Sequence, residues 1–265
     1  MSNNLNIVVI GGSRNIGYWT SLQFLKNTPS TVTFLLRNPS VFDEDSEIQT
    51  YVKSGQARLV KGDALSPEDM KNLWSEATKE RPIDVILFTV GFTGNPKFHP
   101  LKGFLINPAN LVTQALLNVL CTVPQTPALP KVVTLSTLGV TSTSRSASPL
   151  LLKPLYGYLI APAMDDKLGM ERVIAHCAGW EWNLKDGEPS DEIMGADWRN
   201  PALLTDGECL ADGESTKQSG KKPYRAVVGD VAGYTVSRKD VAHFVYEILT
   251  EKWQEFGGKQ VGISY

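Results

Sequence analysis

Apolar residues along this chain keep two different rhythms. Short, nearly unbroken runs rich in Val, Ile and Leu, at residues 5–10, 31–36, 57–60, 84–90 and 131–135, predict strands buried on both faces. Longer stretches with apolar positions every three to four residues lie between or after them: 18–25, a stretch opening near Ser66-Pro67, 105–120, one following Asp165-Asp166-Lys167, and one running to Leu249. Residues 41–51 are acidic and polar and read as a loop with a short helix. Residues 92–100 read as a loop, and 123–131, with three prolines, as a connection. Strands alternating with helices predict an α/β fold, a doubly wound parallel sheet in one domain over 1–265. A small C-terminal lobe and an inserted, flexible segment over roughly 183–235 are expected within that domain.

The turn after the first strand carries the most chemistry. It reads Gly11-Gly-Ser13-Arg14-Asn15-Ile16-Gly17 and runs straight into a helix. A dinucleotide pyrophosphate needs backbone N–H groups and a helix N-terminus aimed at it, and it approaches closely only where no Cβ intervenes. Gly11 is expected to make the turn and Gly17 to let the helix pack against the strand. Asn15 stands where a third glycine is usual, and Asn is the other residue that best tolerates positive φ. The end of the second strand lies beside the adenosine ribose in such folds. An acid there selects NAD, whereas an arginine accommodates a 2′-phosphate. Arg37 follows Gly17 by twenty residues, no acid stands beside it, and Arg14 offers a second guanidinium. NADP is therefore expected over NAD. At the third strand end, Asp63 either accepts from the adenine amino group, with the Ala64 N–H meeting the ring, or caps the helix at Ser66-Pro67. Gly91, at the fourth strand end, is expected beneath the cofactor.

Composition narrows the possibilities further. The 265 residues carry 26 basic and 28 acidic side chains, a formal net charge of -2, which provides no basic field for nucleic acid. Cys121, Cys177 and Cys209 are widely spaced and form neither a metal pattern nor a disulfide framework. Cys177 reads as a core filler rather than a nucleophile. His99 is a lone loop histidine. No apolar stretch is long enough to span a bilayer and the polar N-terminus reads as carrying no leader, so a cytoplasmic location without membrane attachment is expected.

The glycine loop resembles the Thr-Gly-x-x-x-Gly-x-Gly turn of the short-chain dehydrogenase/reductase superfamily, with Ile10 for Thr and Asn15 for the middle glycine. The Tyr-x-x-x-Lys pair of its better-known members is absent: Ile160 stands four residues after Tyr156, and Pro162 four after Tyr158. Instead, Asp166-Lys167, Glu171, Gly179-x-x-Trp182, the stretch from Asp197 to Gly207, Ser237-Arg-Lys-Asp240-Val-Ala and the closing residues 258–265 resemble the atypical NmrA-like, NAD(P)H-binding group. That group includes biliverdin/flavin reductases and isoflavone-reductase-like enzymes. The resemblance implies that Ser136 polarises a substrate carbonyl, that Lys167 bonds the nicotinamide ribose and handles the substrate proton, and that Pro201 belongs to the cofactor pocket. Tyr158 and Tyr156 either contribute a phenol or pack under the cleft. The alternative for Lys167 is a surface charge paired with Glu171, in the less favourable lysine-first order.

One departure concerns residues 183–200. The group passes from Trp to Pro through a four-residue strand segment; here eighteen residues separate Trp182 from Pro201, an excess of fourteen that reads as a lid or mobile loop. The polar segment 208–222 is the second departure. The resemblance implies an NADPH-dependent oxidoreductase acting on a small, largely apolar carbonyl, quinone, enone or flavin. The alternatives are an NADP-binding redox sensor with a protein partner, or an isomerase or cyclase reusing the pocket.

Overall fold

A computed structural model describes residues 4–92, 96–126, 128–147, 155–195, 198, 209–211, 224–229 and 236–265. In chain order these form β1 (Asn6–Ile10), α1 (Asn15–Asn27), β2 (Thr31–Leu36), α2 (Ser46–Ser54), β3 (Ala57–Lys61), α3 (Pro67–Ala77) and β4 (Val85–Phe88). There follow β5 (Lys97–His99), β6 (Gly103–Leu105), α4 (Leu111–Thr122), β7 (Lys131–Thr134), α5 (Ser142–Ala147), α6 (Ala161–Cys177) and α7 (Asp191–Met194). The last elements are β8 (Cys209–Ala211), β9 (Arg225–Val228), α8 (Arg238–Glu247), α9 (Trp253–Phe256) and β10 (Lys259–Ser264).

The strands order as β3-β2-β1-β4-β7-β8-β10-β9, with every neighbouring pair parallel except β10 and β9. The chain winds outward from β1 through β2 to β3, then returns to the other side of β1 at β4. That reversal puts a crevice beyond the C-terminal ends of β1 and β4, where such sheets take their ligands. This is the doubly wound α/β sheet of the Rossmann fold.

Alternation along each strand builds two cores. Val8, Ile10, Ile86 and Phe88 face α3, α4 and α6, where Leu73, Leu116 and Val173 pack against them. Ile7, Val9, Phe34 and Leu87 point the other way, towards Leu22 and Phe24 of α1 and Phe244 of α8. Both faces are covered, which is why the strands read as unbroken apolar runs.

The helix expected over 105–120 starts at Leu111, and residues ahead of it form the antiparallel hairpin β5–β6. Its strands are three residues long, too short for a periodic signal, and the start of α4 is fixed from afar by Asp166, as described below. The strand segment that the group carries between Trp and Pro is not formed directly after Trp182. Residues 184–186 form a single tight helical turn instead, and the sheet position beside β7 is taken by β8. Within 183–200, Ile193, Met194 and Trp198 are buried against α4 and α6, while Leu184 is exposed. Most of 196–235 lies outside the described residues.

Candidate functional site

The loop between β1 and α1 has the backbone that its glycines imply. Gly11 sits at φ +90, and a Cβ there would come within 2.7 Å of the Thr89 carbonyl carbon and the Val90 nitrogen. Asn15 takes φ 57. A Cβ on Gly17 would lie 2.4 Å from Thr89 Oγ1 and 2.9 Å from Gly12 Cα, so α1 closes onto the loop only because that position is bare. Gly12 is equally constrained, with Val9 Cγ1 at 2.5 Å and Phe34 below it. It was not singled out in the sequence, although the Gly-Gly pair was its signal.

Arg14 precedes α1 in extended conformation. The Arg14 side chain makes no capping hydrogen bond to the first turn, and no acid stands in that turn. A helix N-terminus left this way is suited to a phosphate. Arg14 and Asn15 are exposed at the rim, Ser13 and Ile16 half-buried. Arg37 is exposed one residue past β2. The cradle that a Cβ would fill and the basic rim fit a phosphorylated dinucleotide.

At the end of β3 the alternatives for Asp63 divide. Ser66 caps α3, its hydroxyl accepting from the Asp69 N–H at 3.2 Å, while Asp63 accepts from the Leu65 N–H at 3.0 Å in a local turn. Asp63 therefore does not cap the helix. The Ala64 carbonyl accepts from Asn118 Nδ2 at 2.9 Å, holding this strand end to α4. A Cβ on Gly91 would meet open space, so no steric demand for glycine arises there.

Lys167 reaches the ends of two strands at once. Its Nζ donates to the Val90 carbonyl at 3.1 Å and the Leu135 carbonyl at 2.5 Å, which places the ammonium where the chain leaves β4 and β7. One turn on, Glu171 accepts a hydrogen bond from the Ser136 hydroxyl. Lys167, Ser136 and Glu171 thus gather at one edge of the crevice. Only the first two were singled out as site residues; the i,i+4 spacing of Glu171 from Lys167 was the available signal.

Tyr158 is not drawn under the cleft. It is exposed, its hydroxyl donates to the Pro100 carbonyl on the β5–β6 connection, and it stands nine residues, more than two helical turns, before Lys167. The position four residues before Lys167 is Ala163. The Tyr156 side chain and Pro201 lie outside what is described. His99 Nδ1 accepts from the Leu101 N–H at 3.1 Å, a turn contact. Cys177 is buried, and burial pushes its thiol up to about 11, so it stays protonated at neutral pH.

Asp166, read in sequence only as the partner of Lys167, has a structural task. Fully buried on α6, it accepts from the Val112 N–H at 2.8 Å and the Thr113 N–H at 2.9 Å, capping α4 from across the interface. Burial pushes its carboxyl up, against the opposing pull of those amides and of Lys167. α6 approaches α4 closely because Gly169 is bare: a Cβ there would meet Thr113 Oγ1 and Ile193 Cγ2, both at 2.5 Å.

Behind Glu171 lies a cavity of about 120 Å³ lined by Thr134, Thr141, Trp180, Glu181, Asp186 and their neighbours. Among the described residues no cluster of His, Cys, Asp and Glu could hold a metal ion, and no helix is long and apolar enough to cross a membrane.

Fold and loop together define a Rossmann-type, doubly wound α/β architecture. The chain is similar to reductase pytE of Aspergillus terreus, with 32% identity over 176 residues, 63% of this chain. The match spans 62% of that relative's length. A short-chain dehydrogenase from Burkholderia cenocepacia J2315, solved in complex with NADP, covers 99% of this chain and is itself 97% covered, at 13% identity and a TM-score of 0.59. ChuY, an anaerobillin reductase from Escherichia coli O157:H7, covers 97% of this chain with 96% of its own length, at 12% identity and a TM-score of 0.56. No family model matches the sequence.

Proposed function

We propose that this chain is an NADPH-dependent oxidoreductase of the atypical short-chain type that reduces a small, largely apolar carbonyl, quinone, enone or flavin. One observation carries the reading: the bare phosphate loop and the Lys167 ammonium sit at the same end of one sheet, joined through β4, whose end contacts both Gly11 and Lys167. When bound, the reduced nicotinamide would supply hydride, and the protein supplies position and a proton. Gly11, Gly12 and Gly17 admit the pyrophosphate to the first-turn amides of α1. Arg37 and Arg14 are placed for a 2′-phosphate, and Lys167 for the nicotinamide ribose and the substrate oxygen. The similarity to a reductase and the NADP-bound structural neighbour support the same reading.

A second reading, an NADP-binding sensor that signals to a protein partner, is favoured by one observation. Ala163 occupies the position from which the superfamily's tyrosine would work, and the Tyr158 hydroxyl is held by Pro100. Calorimetric titration with NADPH and NADH, followed by NADPH oxidation against carbonyl, quinone, enone and flavin substrates, separates the two. Tight binding with no turnover on any of them favours the sensor. For specificity, Arg37→Glu is expected to weaken NADPH binding by about 10- to 100-fold, the range of one lost charged hydrogen bond. NADH binding should hardly change, and equal losses for both cofactors would remove the specificity assignment.

A further inference from the structure

We propose that Glu171 is a positioning residue that decides, by its own protonation, whether Ser136 can give a proton to substrate. The inference rests on the reductase reading above and concerns the same site.

A serine hydroxyl has one proton to give. In this structure Ser136 gives it to Glu171, so while Glu171 is a carboxylate the serine presents only lone pairs to a substrate oxygen. A protonated Glu171 reverses the pair: its O–H donates to Ser136 Oγ, and the serine proton turns to the substrate. A bound reduced dinucleotide would supply hydride to the carbonyl carbon, leaving the electron pair of the former C=O bond on oxygen. That oxygen takes the Ser136 proton, Ser136 is reprotonated by Glu171, and the resulting carboxylate recovers a proton from water. The relay replaces the phenol that Ala163 cannot offer.

The surroundings of Glu171 suit a group that titrates. On its own helix Lys167, one turn earlier, favours the charged form. Across the cavity Glu181 and Asp186 oppose it. Thr134, Thr141 and Gln260 line the same cavity. The cavity behind Glu171 provides a route for exchange with solvent.

Two measurements test this. In cofactor-free protein, the infrared carboxyl signal removed by Glu171→Gln is expected to titrate, and Ser136→Ala should move its midpoint up by about one pH unit, because the ionised form loses a donor. An unmoved midpoint overturns the pairing. In turnover, the wild type should lose activity about tenfold per pH unit above that midpoint. Glu171→Gln, which can neither titrate nor return a proton to Ser136, should lower kcat at pH 6 at least about tenfold, and its remaining activity should show no alkaline limb. An alkaline limb that persists in Glu171→Gln overturns the inference while leaving the reductase reading in place. A protein that binds no dinucleotide removes the reductase reading, and the infrared titration then decides the pairing alone. Loss of NADPH affinity in Glu171→Gln also counts against the proposal, since it would make Glu171 a cofactor ligand.

Discussion

Replacing Lys167 with Ala is expected to lower kcat by at least about 100-fold while the protein stays folded, because a fixed cation aimed at developing negative charge on the substrate oxygen contributes about 10²–10³ in rate. The ammonium is the cationic group that bridges the ends of β4 and β7, at Val90 and Leu135. Those carbonyls sit at the strand ends and face the crevice once the lysine is gone, so water can satisfy them and the stability cost stays near 1 kcal/mol. Lys167→Met, which keeps the stem but not the charge, should behave as the alanine does in turnover and more like the wild type in melting. Turnover is to be measured on the substrate found most active, with circular dichroism as the folding check. Wild-type kcat in Lys167→Ala would dismiss the lysine from the mechanism.

Asp166→Ala should have the largest effect on stability. It removes the acceptor for two buried backbone N–H groups at the start of α4, and leaving buried donors unpaired costs about 1–3 kcal/mol each. With part of that offset by no longer burying a carboxyl, a net loss of about 3 kcal/mol is expected, a fall in Tm of roughly 6–12 °C for a chain of this size. Asp166→Asn retains one acceptor oxygen and should lose about half as much. The pH dependence has a definite sign. Burial raises the Asp166 carboxyl in the folded state, so the folded chain holds that proton more tightly than the unfolded chain does. Its contribution to stability is complete below the unfolded value and is lost as pH rises through the folded one. The Tm advantage of wild type over Asp166→Asn should therefore shrink as pH rises above the ordinary carboxylate value of 3.8. A flat or growing difference would show that the two amides, not burial, govern the group.

How legible the site was depends on how local its parts are. The phosphate loop was readable because strand, bare turn and helix are contiguous, and the constraints on Gly11, Asn15 and Gly17 are backbone constraints. Ser66 and Pro67 likewise announced the start of α3, and Ser237 that of α8. Glu171 escaped as a site residue because its partner, Ser136, lies 35 residues away on another element. Asp166 looked like half of an Asp-Lys motif, yet its carboxylate faces α4, 54 residues upstream. Tyr158 looked chemical because tyrosine at a helix start so often is. Its hydroxyl instead meets a hairpin whose strands are too short to carry a pattern.

By itself the sequence determined the alternation of strands and helices, the phosphate turn and the identity of the groups placed near it. These depend on apolar periodicity and on which residues tolerate positive φ or the absence of a Cβ, properties carried by a few consecutive positions. Tertiary structure decided that the residues after Trp182 give the sheet position beside β7 to β8, that Asp166 holds α4, and that Ser136 gives its proton to Glu171. Those outcomes depend on which distant groups close packing brings within hydrogen-bonding range, and no local pattern encodes that distance.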